Sequence, residues 1–115
     1  MSAPYCPDKG DLIWIDFEPQ SGREIMKYRP AIVLTERAYN QRQGVCVVCP
    51  SSTKDKQYIY DVKIRIGNTP SVIKADQIRS LNWRTRRAKF IKKAPAGVLY
   101  EVVENIAALI GVEDA

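Results

Sequence analysis

The sequence predicts a small, mainly β fold, a barrel-like antiparallel sheet with flanking helices, and three observations predict it. Short runs of β-forming residues recur along the chain, separated by turn residues. One well-patterned amphipathic helix follows them at the C-terminal end. The 115 residues, 45% of them hydrophobic, suffice for one core, so residues 1–115 are expected to form a single domain.

The first run, Asp11 to Phe17, is apolar and bounded by Gly10 and Pro19, which suits a strand buried on both faces. Comparable runs follow at Ala31 to Thr35, Val45 to Cys49, Ile59 to Ile66, Ser71 to Ala75 and Ala88 to Lys92, giving six or seven expected strands. Turn chemistry lies between them in Pro19–Gly22, Gln43–Gly44, Ser51–Asp55 and Gly67–Pro70. A short helix or turn is expected over Glu36 to Gln41. After Pro95, residues Leu99, Val102, Val103, Ile106, Leu109 and Ile110 recur at helical spacing, and Gly111 suits the C-terminal cap. That apolar stripe is expected to pack on the barrel or on a partner.

Composition excludes several function classes. The chain contains no histidine, which removes Ser-His-Asp triads, histidine acid–base chemistry and histidine metal sites, and no metal site is expected. Three cysteines, an odd number, argue against a secreted disulfide scaffold. The N-terminus lacks a signal-peptide pattern and no 18-residue apolar stretch occurs, so a cytoplasmic location without membrane contact is expected. Cys46-Val-Val-Cys49 resembles a CxxC motif, but the period of a strand sends the two sulfurs to opposite faces and makes them core residues.

The net charge is +5, unevenly placed. Residues 74–93 carry +7, whereas residues 94–115 carry −4. A cationic stretch containing Trp83 and Phe90 suits nucleic acid, because cations neutralise phosphates and rings stack on unpaired bases. It equally suits a hairpin paired with the acidic terminal helix. Two further stretches carry chemistry. In Gly22 to Pro30, Pro30 biases Arg29 toward an extended conformation at the entry of a buried strand, although taken alone this stretch reads as a surface loop with a solvated arginine. In Pro50 to Lys54, three hydroxyls stand beside cations in a turn able to hold a phosphate or to cap itself.

The ordered set of these blocks resembles the MazF/PemK family of toxins from type II toxin–antitoxin modules. Its carriers are Gly10–Pro19, Gly22-x-Glu24 with Arg29–Leu34, Tyr39-Asn40, Val48–Pro50 with Ser52-Thr53, Ala75–Gln77, Ser80–Arg84 and Arg87-Ala88. The resemblance implies an SH3-like β-barrel, usually a homodimer. It also implies a metal-independent, cofactor-free, sequence-specific endoribonuclease of single-stranded RNA, held in check by a cognate MazE-like antitoxin. Under the family pattern Arg29 and Ser52 match the catalytic arginine and threonine positions, and Glu24 matches an acidic residue of the same loop. Ser52 departs from the pattern by lacking a methyl group, and Lys27 stands where the family commonly has Gly.

For substrate binding the expected residues are Phe17, Lys27, Tyr28, Thr53, Lys54, Lys56, Gln77, Arg84 and Arg86, with rings stacking on bases and cations following the backbone. The alternative is a CcdB-type toxin, which shares the barrel and binds gyrase without cleaving RNA. The pairing of Arg29-Pro30 with Ser52-Thr53 argues against it, since a gyrase binder needs no such pair. A plain RNA-binding module is the remaining class, because fold by itself does not fix function.

Overall fold

The structure is a computed structural model and describes residues 4–17 and 28–112. Its elements in chain order are β1 (Asp11–Asp16), β2 (Tyr28–Val33), α1 (Arg37–Gln43), β3 (Val45–Ser52), β4 (Asp61–Ile66), β5 (Thr69–Lys74), β6 (Arg79–Asn82), β7 (Lys89–Lys93) and α2 (Ala96–Ile110). The strands form one antiparallel sheet in the order β4-β5-β3-β2-β1-β7, with β6 also paired to β3. β3 pairs β2 along one edge, while β6 and then β5 share the other, at Val45–Val48 and Ser51–Ser52. That division bends the sheet into a half-barrel.

Side-chain alternation along the strands distributes the core between two clusters. Ile13, Ile15, Phe17, Ala31, Val33, Cys46, Val48, Leu81 and Trp83 form the first. Leu12, Ile32, Cys49, Val62, Ile64, Ile73, Ala75 and Val102 form the second, against which Val98, Leu99 and Ile106 of α2 pack. β1 thus supplies both clusters, as expected of a strand buried on both faces, although Trp14 remains 37% exposed.

Several boundaries differ from the sequence expectation for identifiable reasons. β2 starts at Tyr28, so Arg29 and Pro30 lie inside a strand and not in a loop. Pro30 is tolerated there because its extended φ fits a strand. β3 continues through Ser51 and Ser52, expected as a turn, because β5 supplies a pairing partner for these two residues. β4 begins two residues later than expected, after the turn that closes from Tyr58 O to Asp61 N. β6 was hidden inside the basic stretch, since only Leu81 of its four residues is buried. α2 ends as expected on a left-handed Gly111, φ 82°, whose N–H and that of Val112 cap carbonyls of the last turn.

α2 carries more apolar surface than one core uses. Val102 is fully buried, but Val103, Leu109 and Ile110 of the expected stripe are exposed, as is Tyr100. α1 lacks a side-chain cap from its own Glu36. Asp8 supplies one from afar, its carboxylate accepting the Arg37 N–H at 2.9 Å. This hydrogen bond, together with one from Lys9 N and the nearby Arg37 and Lys93 charges, holds the Asp8 carboxyl below its ordinary pKa.

A buried polar hub fastens these pieces. Asn40 is fully buried; its Nδ2 donates to Pro7 O at 2.8 Å and Thr35 O at 2.9 Å, and its Oδ1 accepts from Thr35 Oγ1 at 2.6 Å. Its backbone carbonyl accepts the Trp83 indole N–H at 2.9 Å. Four chain segments therefore meet at one amide. Asn40→Ala should leave buried groups without partners and lower stability by about 3 kcal/mol, measured by urea unfolding. A midpoint equal to wild type would remove Asn40 from this role.

Candidate active-site groove

The register of β2 and β3 builds the site. The β2–β3 pairs run from Val33–Val48 to Ala31–Pro50. Just beyond them the Ser51 hydroxyl donates to Pro30 O at 2.9 Å and locks the two strands. Arg29 and Ser52 follow at the adjoining ends of these strands and line the same groove. Tyr28, Arg29, Pro30, Ser51, Ser52, Thr53 and Lys54 line an open groove of about 520 Å³. Guanidinium, hydroxyls and ammonium thus converge on one concavity, a donor set matched to a phosphodiester.

The Ser52 hydroxyl has a local task as well. Its oxygen accepts the Lys54 N–H at 3.0 Å, closing a turn, and this leaves the O–H as a donor. Capping and phosphate binding, the two readings of this stretch, are therefore compatible in one group.

A cluster of arginines surrounds the neighbouring Phe17. The guanidinium carbons of Arg29 and Arg79 lie 6.0 and 5.8 Å from its ring centroid. Arg79 Nη2 also donates to Phe17 O at 3.4 Å, and Arg86 Nη1 donates to the same carbonyl at 2.9 Å. Phe17 is only 5% exposed, so it is a platform for cations and not the base-stacking ring expected from the sequence. Arg86, expected to bind RNA, spends hydrogen bonds on the end of β1, with a further one to Asp16 O at 3.2 Å.

Tyr28 lines the groove, but its ring already has neighbours. Trp14 stacks on it at 5.6 Å and 23°, and the Arg87 guanidinium lies 4.3 Å from its centroid. Its hydroxyl donates to Arg87 O at 3.0 Å. Trp83 is corrected too: buried among core residues with its N–H bonded to Asn40, it cannot stack on RNA. Phe90, by contrast, is 45% exposed.

Thr53 and Lys54 lie in the groove lining; Lys56, Gln77 and Arg84 are exposed but outside it. Arg84 lies over Trp83 at 4.7 Å. Glu24 and Lys27, expected as a catalytic acid and a binding cation, fall outside the described residues. Arg79 is the functional candidate missed from sequence. Its only signal there was membership of the basic stretch, because the β3–β6 register, Val48 opposite Arg79, is what brings it beside Phe17.

Among the described residues the basic stretch makes no ion pair with the terminal helix; its pairs go to the other end of the chain or to β4: Arg87 to Asp16, Lys93 to Asp8 and Asp11, and Lys74 to Asp61. The hydrogen bond from Arg87 to Asp16 raises the guanidinium pKa further above its ordinary value. Among the described residues no cluster of three Cys, Asp or Glu side chains forms a metal-ligand set, and no helix is long and apolar enough to cross a membrane.

This half-barrel with an arginine-and-hydroxyl groove defines a class, the small barrel toxins of toxin–antitoxin systems. Residues 8–110 match the family of PemK-like, MazF-like toxins of type II toxin–antitoxin systems. The endoribonuclease toxin MazF of Escherichia coli (strain K12) is 42% identical over 88 residues, covering 76% of this chain and 79% of that protein. The crystal structure of MazE–MazF (Form-II) from Deinococcus radiodurans aligns with a TM-score of 0.87 at 41% identity, over 96% of this chain and all of that one. MazF (Form-I) from the same organism gives 0.83 at 41% identity over 95% of this chain. The chain belongs to the MazF/PemK family and is a homologue of the MazF endoribonuclease toxins.

The cysteines behave as the strand period requires. Cys46 lies in the first core cluster and Cys49 in the second, and burial pushes each thiol up to about 12. Burial also raises Cys6, which packs against the first cluster. Titration with an aromatic disulfide reagent at pH 8 should leave Cys46 and Cys49 unreacted in the folded protein, and unfolding should release all three thiols. Rapid native reaction at either buried position would contradict this placement.

Proposed function

We propose that this MazF-like toxin is a metal-independent, sequence-specific endoribonuclease that cleaves single-stranded RNA through the substrate's own 2′-hydroxyl. The 2′-oxygen attacks the adjacent phosphorus, and the bond from phosphorus to the 5′-oxygen breaks. The products carry a 2′,3′-cyclic phosphate and a 5′-hydroxyl. Such a reaction needs neither a covalent enzyme nucleophile nor a metal. It needs a group to accept the 2′-proton, donors for the charge gathering on the phosphoryl oxygens, and help for the leaving oxygen.

The observation that supports this reading is the convergence of Arg29 and Ser52 on one groove that also holds Thr53 and Lys54. Arg29 binds the scissile phosphate through its planar fork and stabilises the transition state electrostatically. The Ser52 O–H donates to the same phosphate. Glu24 is the proposed base or orienting group, and Lys27, Lys54, Lys56, Gln77 and Arg84 are the proposed contacts to the rest of the strand. Arg79 joins Arg29 as a second cation near the phosphate. Trimming cellular mRNA in this way arrests translation in the cytoplasm.

The proposed inhibitor is a MazE-like antitoxin, supported by the solved complexes of MazF with MazE from Deinococcus radiodurans. A homodimer is proposed as well, with the outward residues Tyr100, Val103 and Ile110 of α2 as apolar surface to be covered. The curated relatives are endoribonucleases, which favours cleavage over CcdB-type gyrase binding.

The test is incubation of the purified protein with a long mixed-sequence RNA in EDTA, with mapping of the 5′ ends. Cuts at one short motif, bearing 5′-hydroxyls, are expected. A folded protein that leaves a sequence-diverse pool intact would overturn the reading, and gyrase inhibition would be assayed next. Arg29→Ala should abolish cleavage with little change in thermal stability. Ser52→Ala should slow it by about 10²-fold, the scale of losing one transition-state donor. Ser52→Thr should remain active, because it keeps the hydroxyl.

A further inference from the structure

We propose that Arg87 is a positioning residue of the active site: it fastens the end of β1 to the start of β2 and so fixes the backbone from which Arg29 projects. The inference rests on the endoribonuclease reading above for its catalytic half. Four features converge on this residue, two from its side chain and two from its backbone. Arg87 Nε and Nη2 grip both oxygens of Asp16, at 2.9 and 3.2 Å. Its guanidinium lies 4.3 Å from the Tyr28 ring centroid, and its carbonyl accepts the Tyr28 hydroxyl at 3.0 Å. Its backbone sits at φ 57°, one of two non-glycine residues in the left-handed region among those described.

The geometry of the pairing explains what is gained. Asp16 and Tyr28 are direct partners in the β1–β2 register, the outermost pair among the described residues. Ile15 and Arg29 are the pair behind them. A fork on Asp16 together with contacts to Tyr28 therefore fastens both members of this pair, one residue from the proposed catalytic arginine. Arg86 reinforces the same end, since Asp16 N donates to Arg86 O at 3.0 Å.

Strain is the second argument. A left-handed backbone is costly for a residue with a Cβ and is ordinarily given to glycine. A glycine here would keep the carbonyl that Tyr28 uses and lose only the guanidinium. The contacts of the arginine side chain are what offset that strain here. That side chain is 59% exposed, so its contribution to global stability is small; Asp16, at 10%, is the buried partner. Direct capture of RNA is the competing role for an exposed arginine. The fork on Asp16 occupies the Nε–Nη2 edge and fixes the guanidinium against β1, and the salt dependence of binding separates this role from phosphate contact.

The experiment compares wild type, Arg87→Gly and Arg87→Lys on an oligonucleotide carrying the mapped cleavage motif. Lys93→Ala serves as a matched control, since Lys93 pairs with buried Asp11 at the opposite end of β1. Arg87→Gly should lower kcat by about 10-fold or more, the scale of a small misplacement of catalytic groups, with KM and the salt dependence of binding unchanged. Arg87→Lys should fall between, keeping the charge without the fork. Lys93→Ala should keep the wild-type kcat. A raised KM with a shallower salt slope would assign Arg87 to RNA contact and overturn the proposal, as would equal losses in the Lys93 control.

Near-ultraviolet circular dichroism separates this geometry from catalysis. Loss of Arg87 should weaken the signal of the stacked Trp14–Tyr28 pair, and an unchanged spectrum in Arg87→Gly overturns the fastening role even if no RNA is cut. A wild-type protein that cleaves no RNA overturns the underlying functional reading and the catalytic half with it.

Discussion

Three strands, β2, β5 and β6, take their register directly from β3. A strand of eight residues, Val45–Ser52, pairs β2 on one side and divides its other side between β6 and β5. The shared edge forces the sheet to curve, since two strands cannot occupy the same edge without diverging. Because side chains alternate, the register of β3 also decides which of its residues enter each core cluster, with Cys46 and Val48 in one and Cys49 in the other. A slip of one residue would exchange those faces and move Ser52 away from Arg29. Core packing and catalytic geometry are therefore one constraint.

The site is supported by cations that touch structure before they touch substrate. Arg79 and Arg86 both bond the carbonyl of Phe17, and Arg79 with Arg29 flanks its ring. A buried ring and a carbonyl offset part of the repulsion among gathered guanidiniums without neutralising them. Asp16 is the one carboxylate within this group of described residues, and Arg87 occupies it. Among the described residues the groove is therefore lined by cations in excess, which suits a polyanion. The relatives' cleavage of RNA is consistent with a surface of this kind.

The candidate site was legible along the chain through the ordered family pattern. Arg29-Pro30 and Ser52-Thr53 taken singly also read as a surface loop and a capping turn; the pattern singled them out, and the structure sets them in one groove. Phe17 and Trp83 were misread as stacking rings for a common reason. An aromatic residue near cations looks alike whether it faces solvent or core, and only the neighbours across the sheet distinguish the two. Arg86 was misread in the same manner, since nothing in its local sequence reveals that its guanidinium returns to the end of β1. Arg79 was passed over because β6 has one buried residue and no readable period.

By itself the sequence determined the mainly β class, the cap of the terminal helix, the opposite faces of Cys46 and Cys49, and the absence of histidine chemistry. These follow from periodicity, capping and composition, which act over a few residues. Tertiary structure alone decided that Ser51 and Ser52 belong to a strand, that Arg79 joins Arg29 beside Phe17, and that Arg87 pairs with Asp16. Each of those depends on which strands share an edge and in what register, a choice made by packing residues far apart in sequence into two cores.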